Sequence, residues 1–219
     1  NKGFDAGGGI HVATGGTVSI SKSAIDQNTL TSTGVGGGVY NENVFNAEKT
    51  SITGNTASVS TSNGGGLHNN AGTSTLKNVT VSGNSTSGNG GGIQMVGGAV
   101  IFNNATVVSN TATSFGGGIY FNAGTFTTAN SILSANTGTG DTANADCKNA
   151  GGTLTDNNHN LVQTTTTCGF STTANNVLGS SANLAALAGT TPAYHALNTG
   201  SPAIDKGDAF GSATQACET

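Results

Sequence analysis

The side chains able to do chemistry are few in this chain, and they are scattered. Ten acids, six lysines and four histidines occur in 219 residues with no arginine, for a formal net charge of −4. A polysaccharide lyase draws a proton from carbon with a strong base, commonly arginine, beside acids that hold a cation. A glycoside hydrolase needs two carboxylates about 5–10 Å apart. Here Glu42 and Glu48 are the nearest acids in the repetitive part of the chain, and the repeat places them on different strands. The sequence holds no Gly-x-Ser-x-Gly elbow, no His-Glu-x-x-His and no glycine–lysine phosphate loop. A non-enzyme is expected, with no catalytic residue, no cofactor and no metal. The lysines stand singly at 2, 22, 49, 77, 148 and 206, which gives neither the basic patch of a nucleic-acid binder nor a polybasic membrane footprint. No apolar run approaches a membrane span, so no direct membrane insertion is expected.

The elements that would position these groups are set by a repeat. Gly triplets start at 7, 36, 64, 90 and 116, spaced 29, 28, 26 and 26 residues apart, and each leads into an aliphatic residue. Later in every unit comes an aliphatic, two further residues, then Asn and Thr or Ser, as in "ITGNT" and "LSANT". A unit of this length, rich in Gly and poor in helix formers, cannot be a helical solenoid, and leucine-rich repeats are excluded by the missing leucines. The expected fold is all-β: a right-handed parallel β-helix of five to six coils, each with three short strands, over residues 1–140. Residues 141–219 are expected to add the last coil or coils and a C-terminal cap of the same domain. The glycines make corners where a Cβ would collide or φ must be positive.

Alignment on the repeated Asn stacks Val18, Phe45, Ser74, Val100 and Phe126 in one inward column, and Ile20, Ala47, Leu76, Phe102 and Thr128 in the next. Ser74 and Thr128 interrupt these columns, so a slip or bulge is expected there. Asn28, Asn55, Asn84, Asn110 and Asn136 are read as a structural ladder, tolerant of left-handed turns and able to bond rung to rung. A polar ligand track is the alternative. The residue after each leading aliphatic must face outward, which makes His11, Tyr40, His68, Gln94 and Tyr120, with Glu42 beside them, a candidate ligand-binding column. Rings and amides about 4.8 Å apart would suit an extended polysaccharide; the plainer reading is that cross-strand pairs stabilise the sheet surface. The outward columns Thr17, Val44, Thr73, Ala99, Thr125 and Ser19, Asn46, Thr75, Ile101, Thr127 are too mixed for the continuous Thr array of an ice-binding face.

Two resemblances follow from these motifs. The paired Gly-Gly-Gly-aliphatic and aliphatic-x-x-Asn signals over residues 7–137 resemble the repeats of bacterial polymorphic outer-membrane proteins and related β-helix adhesins. The segments "DCKNAGGTLTDNNHNLVQ" (146–163), "CGF" (168–170) and "LAALAGTTPAYHALNTGSPAIDKGD" (184–208) resemble the tail of bacterial choice-of-anchor Q surface proteins. In that family a β-helix ends in a Cys-containing loop, a Leu-Ala-rich stretch and a Ser-Pro-Ala-Ile-Asp-x-Gly-Asp segment; Ser201 to Ile204, Asp205, Gly207 and Asp208 match the last. The resemblance implies an exported or surface-displayed bacterial protein, and Cys147 and Cys168 match its paired cysteines. By residue spacing these two cysteines can close a loop and pin the cap, leaving Cys217 without a partner.

From the residues alone, Leu184–Leu187 is expected to form one helical turn that plugs the open coil end. His159, His195, Asp205 and Asp208 are read as turn and polar-contact groups. The first residue being Asn1, a processed or excised chain is expected, with further coils or a neighbouring subunit against the first coil. Asn78, Asn84 and Asn104 stand in glycosylation sequons. The functional expectation is a secreted or cell-surface structural or adhesive protein: a stalk, adhesin or matrix subunit. Its partners would be its own coil ends, an extracellular polysaccharide, or a host or neighbouring cell surface. The alternative is a polysaccharide-binding module using the His/Tyr column; ice binding and polysaccharide cleavage stand further off.

Overall fold

In each coil the expected strands form because Thr, Val, Ile and Phe alternate with polar residues at period two between Gly and Asn corners. The computed structural model describes residues 1–3, 5–164, 167–172 and 175–208. They wind into a parallel β-helix of about six turns. Among the described residues the helical content is one 3-10 turn, Thr142–Asn144. The second and third coils carry the expected three strands and the coils at 10–30, 93–112 and 119–138 carry four, shared among three parallel sheets. The first sheet stacks two-residue strands from Lys2–Gly3 to Thr137–Gly138. The second stacks Ile10–Val12, Val39–Asn41, Leu67–Asn69, Ile93–Met95, Ile119–Phe121 and Cys147–Asn149. The third and widest takes two segments per coil, fused into the ten-residue strands Val44–Thr53 and Thr73–Ser82 in the second and third coils.

Register follows the alignment of the repeats. Val18 pairs with Phe45, Phe45 with Ser74, Ser74 with Val100 and Val100 with Phe126. No slip or bulge occurs at Ser74 or Thr128, contrary to expectation, because each hydroxyl has an inward partner. Ser74 Oγ donates to Asn69 Oδ1 at 2.7 Å and accepts from Asn41 Nδ2 at 3.0 Å, and Thr128 Oγ1 donates to Asn160 Oδ1 at 3.1 Å. A satisfied buried hydroxyl removes the reason to shift register. Elsewhere the bore is apolar, with Phe45, Phe102, Phe121, Phe126, Leu67 and Ile93 fully buried and Phe102 and Phe126 meeting edge to face at 5.0 Å.

The triplets work as read. The first Gly of each has φ between +59° and +72°. A Cβ on Gly66, third in its triplet, would sit 2.6 Å from Gly92 O and 3.0 Å from Asn84 Nδ2. The corner is therefore closed by the next coil and by the Asn ladder together.

That ladder is buried, and its amides bond along the axis. Asn28 Nδ2 donates to Asn55 Oδ1 (2.8 Å), Asn55 to Asn84, Asn84 to Asn110 and Asn110 to Asn136 (each 2.9 Å). The backbone N–H of each rung donates to the same Oδ1. The left-handed residue is not the Asn but the one before it: Gln27, Gly54, Gly83, Ser109 and Ala135. Asn84 is 1% exposed, which removes it as a glycosylation acceptor.

The ladder's last member is an acid. Asp146 Oδ1 accepts from Asn136 N (3.0 Å) and Nδ2 (2.8 Å), while Oδ2 accepts from Thr164 N (2.9 Å) and Oγ1 (2.8 Å). Burial pushes its carboxyl above the usual carboxylate range, against the lowering effect of these four donors. An Asn here would turn an N–H2 toward the Thr164 N–H and leave one donor orphaned. Asp146→Asn is expected to cost about 2 kcal/mol, read as a shift in urea midpoint at constant slope; an unchanged midpoint would show that the rung tolerates either polarity.

Beyond the sixth rung, Cys168 and Phe170 pack on the core, and Cys147 and Cys168 are disulfide-bonded with Cα atoms 5.5 Å apart. The plug expected at Leu184–Leu187 is absent. That stretch instead bridges antiparallel to the chain after Pro192, Leu184 with Leu197 and Ala188 with Tyr194. The resulting strap runs back along the flank of the third sheet, because serines there offer hydroxyl partners. Ala182 N donates to Ser134 Oγ (3.1 Å), His195 Nε2 meets Ser82 Oγ (2.9 Å) and Ala193 N donates to Ser51 Oγ (3.1 Å). Cys217 lies outside the described residues.

Candidate functional site

The second sheet places the candidate column. His11 pairs with Tyr40, Tyr40 with His68, His68 with Gln94, Gln94 with Tyr120 and Tyr120 with Lys148. Side chains on either side of each point inward: Val39 and Asn41, Leu67 and Asn69, Ile93 and Met95 are all buried. Thus the alternation holds and the column faces out, but it is not evenly exposed. His11 is open, Tyr40 and Tyr120 are half-buried, and His68 and Gln94 are only 5% exposed each. The expectation of a uniformly solvent-facing track therefore fails at its two central rungs. A Cβ on Gly64 would come within 2.8 Å of His68 Cβ, and one on Gly116 within 2.9 Å of Tyr120 Cβ, so the glycine corner lies close against the column. The column lies down against the backbone of that corner.

At the N-terminal end, rings and an acid converge. The Tyr40 ring has His11 on one side at 5.0 Å between centroids and His68 on the other at 5.5 Å. Glu42, in the turn after Val39–Asn41, lies with Oε2 3.2 Å from His11 Nε2 and accepts from the Tyr40 hydroxyl at Oε1, also 3.2 Å. The His11 hydrogen bond is the main reason that the Glu42 carboxyl sits below its usual range. Burial, then the Glu42 charge, raises the Tyr40 phenol. His68 has no charge partner facing it; burial alone depresses its imidazole to about 4. His68 Nδ1 and Gln94 Oε1, on adjacent rungs, have no hydrogen-bond partner. Both groups are buried, and burial holds the His68 imidazole neutral at pH 7.

The other end carries residues that the repeat pattern did not reveal. Lys148 completes the column where the Gly triplet gives way to Ala-Asp, and its signal was only its phase, 28 residues after Tyr120. Its Nζ lies 3.0 Å from Asp141 Oδ2 and 5.8 Å from the Phe115 ring centroid. Phe115 in turn stacks on Tyr120 at 6.4 Å and 24°. Lys148, with help from Asn144, holds the Asp141 carboxyl below its usual range.

The other sequence candidates lie elsewhere. His195 Nδ1 donates to Ala185 O (2.8 Å), joining the two limbs of the strap, and His159 Nδ1 donates to Lys206 O (2.8 Å), holding the segment that follows the strap. Asp205 has φ +58°, a turn position, and the Asp208 N–H donates to Asn130 Oδ1 (2.9 Å). Among the described residues no three His, Cys, Asp or Glu side chains converge as metal ligands would, and no helix is long and apolar enough to cross a membrane. In chemical terms, the column offers one imidazole–carboxylate–phenol cluster, a neutral recess and one lysine–aromatic cluster. Compared with known proteins, the chain matches no family model, no curated protein and no solved structure.

Proposed function

We propose that the chain is a non-catalytic scaffold of the bacterial cell exterior, a stalk, adhesin or matrix subunit that holds a surface at a distance. One observation carries this reading: the repeated Asn amides and the Tyr40 ring, regularly placed groups that could recognise a ligand, are spent on contacts along the rod axis. The Asn amides bond one another, Asp146 terminates their ladder, and both sides of the Tyr40 ring are occupied by histidines. Stacking on a sugar needs a free aromatic face, so the same contacts weigh against a polysaccharide track along the column. The choice-of-anchor Q-like tail, 184–208, supports surface display, and the Cys147–Cys168 bond suits an oxidising compartment.

The test is particle size against concentration, by light scattering with negative-stain images of the same samples, alongside incubation with a polysaccharide panel. Rod-shaped particles, lengthening with concentration as coil ends meet, are expected, without release of reducing ends or unsaturated sugars. Sugar release that is lost on Glu42→Gln would overturn the non-catalytic reading. Compact particles that never lengthen would remove the subunit role.

A further inference from the structure

The first sheet carries a pattern that the other two lack. Thr29 pairs with Thr56, Thr56 with Ser85, Ser85 with Thr111 and Thr111 with Thr137. Each follows a ladder Asn, so the corner that aligns the amides also aligns these hydroxyls. The next residue inward, Leu30, Ala57, Thr86 or Ala112, is buried, and the hydroxyl column therefore faces out. Backbone bonds carry the register one step further: Ser87 N donates to Ala57 O (3.1 Å), Thr113 N to Thr86 O (3.2 Å) and Thr139 N to Ala112 O (3.1 Å). That step stacks Ser58, Ser87, Thr113 and Thr139 in a second outward column. The two columns make a grid of Ser and Thr that repeats about 4.8 Å between coils and about 6.6 Å along each strand.

The grid carries neither charge nor ring, and it is open. Ser58, Thr111, Thr113, Thr137 and Thr139 are exposed, and the other members are half-buried. Its second column is oriented by the rod itself. Ser87 Oγ donates to Val59 O (2.7 Å), Thr113 Oγ1 to Ser87 O and Thr139 Oγ1 to Thr113 O (2.5 Å), each a carbonyl of the preceding coil. Among the described residues the Thr29, Thr111 and Thr137 hydroxyls of the first column meet no protein partner, so both their donors and their lone pairs are open. A single soluble molecule is held by a concave wall, a charge or an aromatic face, and the grid offers none of these. A preorganised repeat in two directions suits a ligand that itself repeats in two directions. Crystalline polysaccharide does so, but its sugar rings call for aromatic platforms. Ice presents rows of oxygens at spacings close to both repeats of the grid, and each oxygen can donate to or accept from a hydroxyl.

We propose that the outer face of the first sheet binds ice, with Thr111, Thr113, Thr137 and Thr139 at the centre of the contact. The outward columns of the third sheet, interrupted at Val44, Ala99 and Ile101, offer no such repeat. The face runs along the flank of the rod and leaves the coil ends free, so the site goes beyond the scaffold reading and stands without it.

The experiment grows single ice crystals in solutions of the full chain, measures the gap between melting and growth temperatures, and follows uptake of fluorescently labelled chain into the ice. A gap that widens with concentration, facetted crystals and enrichment in the ice are expected. Thr111→Tyr and Thr137→Tyr set a ring into the grid at exposed positions and are expected to abolish these effects. Thr155→Tyr, at an exposed outward position of the third sheet, is the control and is expected to leave them unchanged. Urea midpoints that match the wild type establish that the variants are folded. A wild-type chain that shows no gap and is excluded from ice overturns the proposal whatever the variants do. Effects that survive in folded Thr111→Tyr and Thr137→Tyr proteins, or are lost equally in Thr155→Tyr, overturn the assigned face. Retention on chitin or cellulose in place of ice, lost on the same two substitutions, overturns ice as the ligand and identifies a crystalline polysaccharide.

Discussion

Replacing Asn84 with Ala is expected to cost roughly 4 kcal/mol of unfolding free energy, from a side chain that touches no ligand. Three buried groups would lose partners together. The Asn55 N–H and one hydrogen of Asn55 Nδ2 both donate to Asn84 Oδ1 (each 2.9 Å), and Ile52 O accepts from Asn84 Nδ2 (2.9 Å). Each orphaned buried group costs about 1–3 kcal/mol, and water cannot enter a closed glycine corner to replace the amide. Asn84→Asp separates polarity from volume. It keeps the acceptor but sets a second oxygen against Ile52 O and Asn110 Oδ1, and burial penalises its charge, so it is expected to be no better than Ala. Asn122→Ala, at an exposed position, is the control and should change stability by less than about 0.5 kcal/mol. Urea midpoints for the three variants decide the matter. A cost near 1 kcal/mol for Asn84→Ala would mean that the ladder's bonds exchange with water and do not brace the rod.

What the sequence made legible was whatever repeats with the coil. An in-register parallel stack puts each residue over its homologue one coil away, so the columns Val18–Phe126 and Ile20–Thr128 were readable from spacing alone. The Asn ladder was readable for the same reason. Its terminus was not, since Asp146 follows Asn136 by 10 residues rather than 26 and changes residue type. The path of the strap was also hidden. Ala193 reaches Ser51 across 142 residues, and no local pattern states which flank a tail will choose. Nor could period-two alternation foresee that His68 and Gln94 would be buried, because it fixes direction and not what lies alongside. In the candidate site, side-chain direction was written in the sequence and exposure was not.

That difference between direction and exposure has a thermodynamic consequence at His68. An outward histidine in water would titrate near 6.5, whereas burial with no facing charge brings this one down to about 4. The neighbours along its column are the Tyr40 ring, in contact at 5.5 Å, and the uncharged Gln94; the His11–Glu42 pair lies on the far side of Tyr40. Between pH 6.5 and 4 the unfolded chain takes up a proton at this residue and the folded chain does not. Stability from His68 is therefore complete above pH 6.5, falls as pH drops toward 4, and changes no further below it. A difference of some 2.5 pKa units corresponds to about 3 kcal/mol. Glu42 and Asp141, whose pKa values are lowered, also lose stabilisation in acid, whereas Asp146, raised by burial, works the other way. His68→Gln separates the histidine from all three, because it stays neutral at every pH and matches the residue on the next rung. Urea unfolding of both proteins at pH 7 and pH 4 should show the wild type losing about 3 kcal/mol more than the variant. Parallel losses would mean that His68 takes up its proton without unfolding, through an opening of the glycine corner at Gly64 that lets water reach the ring.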